Sequence, residues 1–241
     1  MDTWFEAGHV AIVTGGSRGL GKALARELLL RGVHTIVDGR DPRVLQATCT
    51  ELREFGELVA IAGDVADERH VRALFDAARK FGRLDLLVNN ASTLGAVPLP
   101  SVRELSRGVL ERLFAVNLFA PIALMRAAVA LMRDGGGLGT IVNVTSDAGV
   151  EAYAGWAGYG ATKAALEHVS RVLAEELEGS GIRVLVADPG DMDTQMHRDA
   201  IPDADPAQLR HPADSARALL LAIASMQQRF ERIRLAALVG A

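Results

Sequence analysis

A single cysteine, Cys49, stands among 241 residues. No internal disulfide can form, so packing alone must hold the fold. The expected role for Cys49 is a small buried hydrophobe on a helix, and one reduced thiol suits a cytoplasmic setting. Positive charge is not in excess. Lys and Arg number 26 against 30 Asp and Glu, a net charge of -4, which disfavours nucleic acid as a partner. No apolar run reaches the length of a membrane span; LLVNNA and LLLAIA are far shorter. The opening MDTWFEAGHVAIVTGG has no basic stretch leading into a long apolar run, so no secretory signal is expected there. The six histidines show no HExxH or paired spacing, and no metal centre is expected. Aromatic residues are only 5% of the chain, and tyrosines only two, Tyr153 and Tyr159.

What is present is an alternation. HVAIVT, VHTIVD, ELVAIAGD, LDLLVNNA, GTIVNVTS and IRVLVADPG are short, almost continuous apolar runs, as expected of strands covered on both faces. Helical patterns separate them: Gly19–Arg31, Pro42–Phe55, Glu68–Phe81, Leu105–Met132 and Gly158–Glu178. A last helix over about Asp214–Arg229 precedes a possible seventh strand, Ile233–Val239. The glycine run near Gly135 reads as a helix-to-strand turn. Strand alternating with helix predicts an α/β Rossmann fold: a doubly wound, mainly parallel sheet of about seven strands with helices on both faces. No linker divides residues 1–241, which predicts one domain. Ligands of such sheets sit beyond the carboxyl ends of the strands.

The first strand leads into TGGSRGLG, Thr14–Gly21. A turn lacking Cβ atoms lets backbone approach a pyrophosphate, and the helix that follows offers free N–H groups at its positive end. The tip of the second strand, DGRD, carries both signs of charge. An acid there grips ribose hydroxyls, as in NAD sites, whereas arginine suits a 2′-phosphate. Arg18 and Arg40 together favour NADP; Asp38 and Asp41 speak against it, although Asp41 before Pro42 also suits a helix cap. In YGATK, Tyr159 stands four residues before Lys163. By itself the pair is either a tuned proton donor or two neighbours on a helix face.

Taken together these motifs resemble those of the short-chain dehydrogenase/reductase family, in its short single-domain branch, over almost the whole chain from His9 to the last helix. TGGSRGLG resembles its cofactor loop, which implies phosphate contacts at Gly15, Ser17, Arg18, Gly19, Leu20 and Gly21. Asp64 and Val65 in GDV resemble its adenine pocket. NNAS, with Asn90 and Ala91, resembles the family's NNAG. Pro189, Gly190, Met192 and Thr194 in PGDMDT resemble the segment that holds the nicotinamide carboxamide. Gly39 falls where NAD enzymes of the family carry their acid, which places Arg40 at the phosphate position.

The resemblance implies hydride exchange between a nicotinamide and a carbonyl or secondary alcohol. Four residues are expected to be catalytic: Asn117, Ser146, Tyr159 and Lys163. Tyr159 is expected to move the proton, and Lys163 to lower its pKa toward neutrality and to bond the nicotinamide ribose. Ser146, thirteen residues before Tyr159, is expected to hold the substrate oxygen. Asn117 is expected to hold a water beside Lys163. The expected cofactor is NADP(H), with NAD(H) possible. The expected partner is a small carbonyl or alcohol, with neither nucleic acid nor membrane. A carrier-bound 3-oxoacyl thioester is the alternative substrate, and a non-catalytic nucleotide sensor the alternative of another class. Tyr153, lacking a lysine four residues on, reads with Trp156 as pocket wall or core. Met196 is expected at the substrate, in a polar lid spanning about 191–212; His197 reads as pocket or solvated loop.

Two features depart from the pattern. Ser92 replaces the glycine of NNAG, and RLAALVGA lacks the Asp-Gly-Gly-like tail that packs across a tetramer axis in many relatives. A homodimer through Leu105–Met132 and Gly158–Glu178 is still expected, with a homotetramer as the alternative.

Overall fold

The computed structural model describes residues 5–238. Seven strands form one parallel sheet in the order β3-β2-β1-β4-β5-β6-β7. The first half runs β1 (Val10–Val13), α1 (Gly19–Leu29), β2 (His34–Gly39), α2 (Pro42–Leu52), β3 (Leu58–Ala62) and α3 (Glu68–Arg79). The second half starts with β4 (Leu86–Asn89), α4 (Arg107–Phe114), α5 (Ala120–Asp134) and β5 (Leu138–Val144). It continues through α6 (Ala157–Glu176), β6 (Gly181–Asp188), α7 (Gln195–Ala200), α8 (Pro212–Ser225) and β7 (Phe230–Arg234). The order of winding reverses between β1 and β4, which opens a crevice at their carboxyl ends.

The apolar runs are strands because both faces are covered. Ala11 and Val13 of β1 face a core made with Leu24 and Leu28 of α1, Cys49 of α2 and Leu219 of α8. Val10 and Ile12 face the opposite core, with Leu74 and Phe75 of α3, Leu124 of α5 and Leu166 of α6. Each Val, Leu, Ile or Phe among them contributes about 1.5–3 kcal/mol on burial. Phe75 is fully buried, so Phe75→Ala should cost about 3–5 kcal/mol. Cys49 is the small buried hydrophobe expected of it, and burial pushes its thiol pKa up.

Three boundaries differ from expectation. The last helix stops at Ser225 rather than Arg229, because the Glu231 carboxylate takes the N–H groups of Gln227 and Gln228 at 2.9 and 3.0 Å. The seventh strand accordingly starts at Phe230 and ends at Arg234; Leu235–Leu238 form a 3-10 turn, and Val239 lies outside the described residues. An edge strand half open to solvent needs no continuous apolar run, so FERIR does not read as one. The predicted helix Leu105–Met132 is instead α4 and α5 joined by a π turn, Ala115–Phe119, which carries Asn117.

The absence of any membrane-length apolar stretch also needs correction. Arg107–Asp134 is long and apolar enough to cross a membrane, with a mean hydropathy of 1.8 over 18 residues. Half of that window is buried within the protein, and Leu124, Ala128 and Leu131 pack in the second core. Helical periodicity distributes its apolar residues over a core-facing side rather than one linear run.

Candidate active site

At the end of β1, Thr14 ties two loops together. Its hydroxyl accepts from the Asn90 and Ala91 N–H groups, both at 3.0 Å, and Asn90 Nδ2 donates to Thr14 O at 2.8 Å. Gly15 lies in the left-handed region (φ +67°), and a Cβ there would meet Ala91 Cα at 3.0 Å. A Cβ on Gly21 would sit 2.4 Å from Gly15 O. Arg18 gives α1 no side-chain cap, whereas Asp41, Asp67 and Ser106 cap α2, α3 and α4. The first N–H groups of α1 are thus available to an anion.

These elements border a cleft of about 460 Å³. Gly15, Ser17, Arg18, Gly19 and Leu20 line it from one side, with Arg40, Val65, Asn90, Ala91, Met192, Thr194 and Met196 around it. A cradle emptied of side chains beside an uncapped helix fits a dinucleotide. Gly21 contributes by its missing side chain. Pro189 and Gly190 lie just before the cleft, and Gly190 (φ +71°) turns the chain toward Met192 and Thr194. Asp64, placed in the adenine pocket by resemblance, is engaged within the protein. It accepts from Ala66 N at 3.0 Å and Arg112 at 2.9 Å, and its pKa is lowered although burial opposes this.

The mixed charges at the tip of β2 separate clearly. Asp38 is 1% exposed and spends both oxygens internally: Oδ1 accepts from Gly15 N at 2.6 Å, and Oδ2 pairs with His70 Nε2 at 2.9 Å. His70 is itself buried against Gly63. Asp38 therefore holds the loop rather than a ribose. Asp41 caps α2 through Arg43 N and Val44 N, and lies 4.0 Å from Arg18. Arg18 is 59% exposed in its side chain, and Arg40 is exposed at the same corner. Nothing in the spacing reveals the His70–Asp38 pair, which spans 32 positions.

Past β5, Ser146, Tyr159 and Lys163 converge, and Asn117 joins them from the π turn. Lys163 is 3% exposed, and Nζ donates to Val144 O at 2.8 Å. Burial pushes its pKa down to about 8. Its ammonium lies 5.4 Å from the centre of the Tyr159 ring. The side chain of Asn117 knits the β4 loop to α6: Oδ1 accepts from Thr93 N at 2.9 Å and Ser92 Oγ at 3.2 Å, and Nδ2 donates to Thr93 O and Thr162 Oγ1. Ser146 Oγ accepts from Ala148 N at 3.2 Å and donates to Asp147 Oδ1 at 3.0 Å.

The expected lowering of the Tyr159 pKa is not what this arrangement gives. Burial pushes it up to about 12, and the Asp188 and Asp147 charges add to the rise; the Ser92 and Ser146 hydroxyls act against it. Desolvation and two carboxylates outweigh the lysine on the same helix face.

The pocket residues fall into two groups. Trp156 meets Tyr159 edge-on at 5.5 Å and shares an apolar cluster with Met196 and Leu94. Tyr153 stands apart, 47% exposed, and donates to Asp147 Oδ2 at 2.9 Å. In the segment 191–212, α7 follows Thr194, which caps it through His197 N. A bridge between Met192 and Arg210 closes the base of the segment. His197 is not solvated: its side chain is 11% exposed, and Nε2 lies 3.4 Å from Asp191.

A sequence profile described as short chain dehydrogenase matches residues 9–205. The chain is 35% identical over 204 residues to a rhamnolipid-biosynthesis 3-oxoacyl-[acyl-carrier-protein] reductase of Pseudomonas aeruginosa, covering 82% of this chain and 78% of that one. Among solved structures, a short chain dehydrogenase from Burkholderia cenocepacia in complex with NADP superposes with a TM-score of 0.83 at 29% identity, over 95% of this chain and 97% of that one. A 7α-hydroxysteroid dehydrogenase complexed with NADH and 7-oxo glycochenodeoxycholic acid superposes with a TM-score of 0.85 at 26% identity, over 97% and 94%.

Proposed function

Because the chain belongs to the short-chain dehydrogenase family of nicotinamide-dependent oxidoreductases, we propose that it is an NADP(H)-dependent enzyme interconverting a ketone and a secondary alcohol. The observation that carries this reading is Tyr159, with the Lys163 ammonium 5.4 Å from its ring centre, packed in one cluster with Leu94 and Met196, which line the glycine-bordered cleft. The bound nicotinamide supplies or accepts the hydride. Gly15, Ser17, Gly19 and Leu20 hold the pyrophosphate, Val65 covers the adenine, and Arg18 and Arg40 take the 2′-phosphate. Asn90, Ala91, Met192 and Thr194 flank the nicotinamide end.

Tyr159 donates its proton to the ketone oxygen. With a pKa near 12 it is fully protonated at pH 7, ready for reduction. In the reverse direction it must first ionise. From 12 to 7 is five units, a cost of about 7 kcal/mol. Lys163 and the charge of the oxidised cofactor both act to lower that cost. Ser146 turns its hydroxyl from Asp147 to the substrate oxygen, and Asn117 fixes the β4 loop against α6. Intact donors at all four positions argue against a non-catalytic nucleotide sensor.

Support for NADP comes from the engagement of Asp38 with Gly15 and His70, which leaves two arginines at that corner. The P. aeruginosa relative favours a second reading, a carrier-bound 3-oxoacyl thioester as substrate. The apolar groove of α5 and α6, with Ile122, Val129, Val169 and Val172, supports a dimer of one-domain chains; a cytoplasmic setting accords with the lone buried thiol. The deciding experiment is a panel of ketones, secondary alcohols and a 3-oxoacyl thioester, each with NADPH or NADH and their oxidised forms, followed by absorbance of the reduced cofactor. Ketone turnover faster with NADPH is the expected result. No turnover of any member would sink the reading.

A further inference from the structure

β2 ends in an acid, Asp38, although a 2′-phosphate site calls for positive charge. Side chains alternate along a strand, so Asp38 shares a face with Ile36, which packs with Leu74 and Phe75 of α3. Val37, on the other face, packs in the core of α1. His70 lies in the first turn of α3, beside Val71 of the Ile36 core. The two polar residues therefore meet: His70 Nε2 lies 2.9 Å from Asp38 Oδ2, with the residues 7% and 1% exposed. A carboxylate only accepts, so Nε2 carries the proton of this bond. We propose that His70 is a positioning residue for the choice of nucleotide. Through Nε2 it keeps the Asp38 carboxylate turned away from the cleft, so that the tip of β2 admits a 2′-phosphate. The proposal rests on the reading of the cleft as an NADP(H) site.

Each partner is held in place by its surroundings. A Cβ on Gly63, just past β3, would sit 2.2 Å from His70 Nδ1, so the imidazole packs against bare backbone. Gly63 N donates to Gly39 O at 3.1 Å, which ties that backbone to the tip of β2. Asp67 caps the turn that carries His70, accepting from Arg69 N at 2.8 Å. On the other side, Asp38 Oδ1 takes the Gly15 N–H at 2.6 Å. Both carboxylate oxygens are thus engaged, one by the cofactor loop and one by α3.

The orientation matters because Asp38 lines the cleft, next to Gly39, Arg40 and Asp41. Arg18 and Arg40 bring positive charge to that corner, and a phosphate needs it. A carboxylate turned into the same space repels a 2′-phosphate and accepts from the 2′-hydroxyl that NADH carries there. A buried carboxylate stripped of its partner is an uncompensated charge, and its relief is water in the cleft that it lines. Loss of His70 therefore adds a negative charge to the cleft. That charge acts on NADPH through its 2′-phosphate and spares NADH, which has none.

The test compares His70→Ala, His70→Leu, His70→Gln, Asp38→Asn and the His70→Ala, Asp38→Asn double variant in the full chain. Dissociation constants for NADPH and NADH are read by fluorescence of the reduced nicotinamide. His70→Ala and His70→Leu should weaken NADPH binding about tenfold and leave NADH within about twofold. His70→Gln, which offers an amide N–H in place of Nε2, should restore most of the preference. Asp38→Asn keeps an acceptor for Gly15 N without the charge. Alone it should keep the preference for NADPH, and added to His70→Ala it should bring NADPH binding back. Equal losses for both nucleotides in the Ala and Leu variants mark a role in holding the loop alone and overturn the proposal. So does a double variant no better than His70→Ala. Where the Ala and Leu chains do not fold, Asp38→Asn decides, and a lost NADPH preference there overturns the proposal. A wild-type chain that binds neither nucleotide, or prefers NADH, refutes the parent reading. A wild-type preference for NADPH that the His70 variants leave unmoved refutes His70 alone.

Discussion

The two halves of the sheet build their ends from different material. Around β1–β3 the site is mostly backbone: glycines, an uncapped helix, and Asp38 turned inward to fix a loop N–H group. Around β4–β7 it is mostly side chains set in buried polar bonds. Asn89 donates to Asn143, Asn143 to Ser170, and Thr145 to Glu167, each at 2.7 Å, and Glu167 in turn holds Arg232. A phosphate is gripped by many weak donors at once, so the first half needs open space. A single proton moves between defined atoms, so the second half needs rigid positions. The lesson is a contrast in fragility: the first half should fail when atoms are added, the second when they are removed.

The largest effect expected on the second half comes from Tyr159→Phe. Losing one oxygen should cut turnover at least about a thousandfold while NADPH affinity, measured by fluorescence, changes little. Retained ketone reduction would place the proton donor elsewhere.

Lys163→Met separates activity from stability. The buried ammonium has its pKa depressed to about 8 from 10.5, so between those values the unfolded chain binds more protons. Stability must therefore rise with pH across that window, and below it the charge costs about 3 kcal/mol. The variant should lose turnover yet withstand more denaturant at pH 7, with the gain shrinking toward pH 10.5. A Lys163→Met chain less stable than wild type at pH 7 would show that its bond to Val144 O outweighs the buried charge.

Addition to the first half comes next. Gly21→Ala sets a methyl 2.4 Å from Gly15 O, a backbone atom that cannot swing aside. A cost of about 1–3 kcal/mol is expected, with weakened NADPH binding in calorimetry. A variant that binds NADPH as wild type would break the contrast.

The smallest effect expected is from Arg40→Ala, a removal in the half that should tolerate removals. KM for NADPH should rise about tenfold with kcat held, and KM for NADH should barely move. Equal effects on both cofactors would argue against a phosphate contact.

Legibility follows the same division. The loop Thr14–Gly21 and the Tyr159–Lys163 pair are local patterns, and periodicity placed both on the right elements. Contacts across the chain left no such trace. Asp38 reads as an ambiguous acid until His70 stands beside it, and nothing local shows that Asp64 also pairs with Arg112, 48 positions away. The π turn at Asn117 was hidden because apolar spacing continues through it. Ser92 was visible only as a misfit, since no pattern says that its hydroxyl reaches Asn117. The rise of the Tyr159 pKa leaves no local trace, because depth of burial and the approach of Asp188 belong to the packed fold.

Gly39 carries a consequence for how this chain can change. An acid there is the ordinary route to NAD by resemblance, yet a Cβ at 39 would stand 2.9 Å from Ser17 Cβ. Ser17 cannot drift away, because its carbonyl is bonded by Thr48 Oγ1 at 2.8 Å. An acid at 39 therefore calls for a change at 17 as well. A lineage moving one residue at a time would have to make room at 17 before an acid at 39 could fit, so the order of the two steps matters.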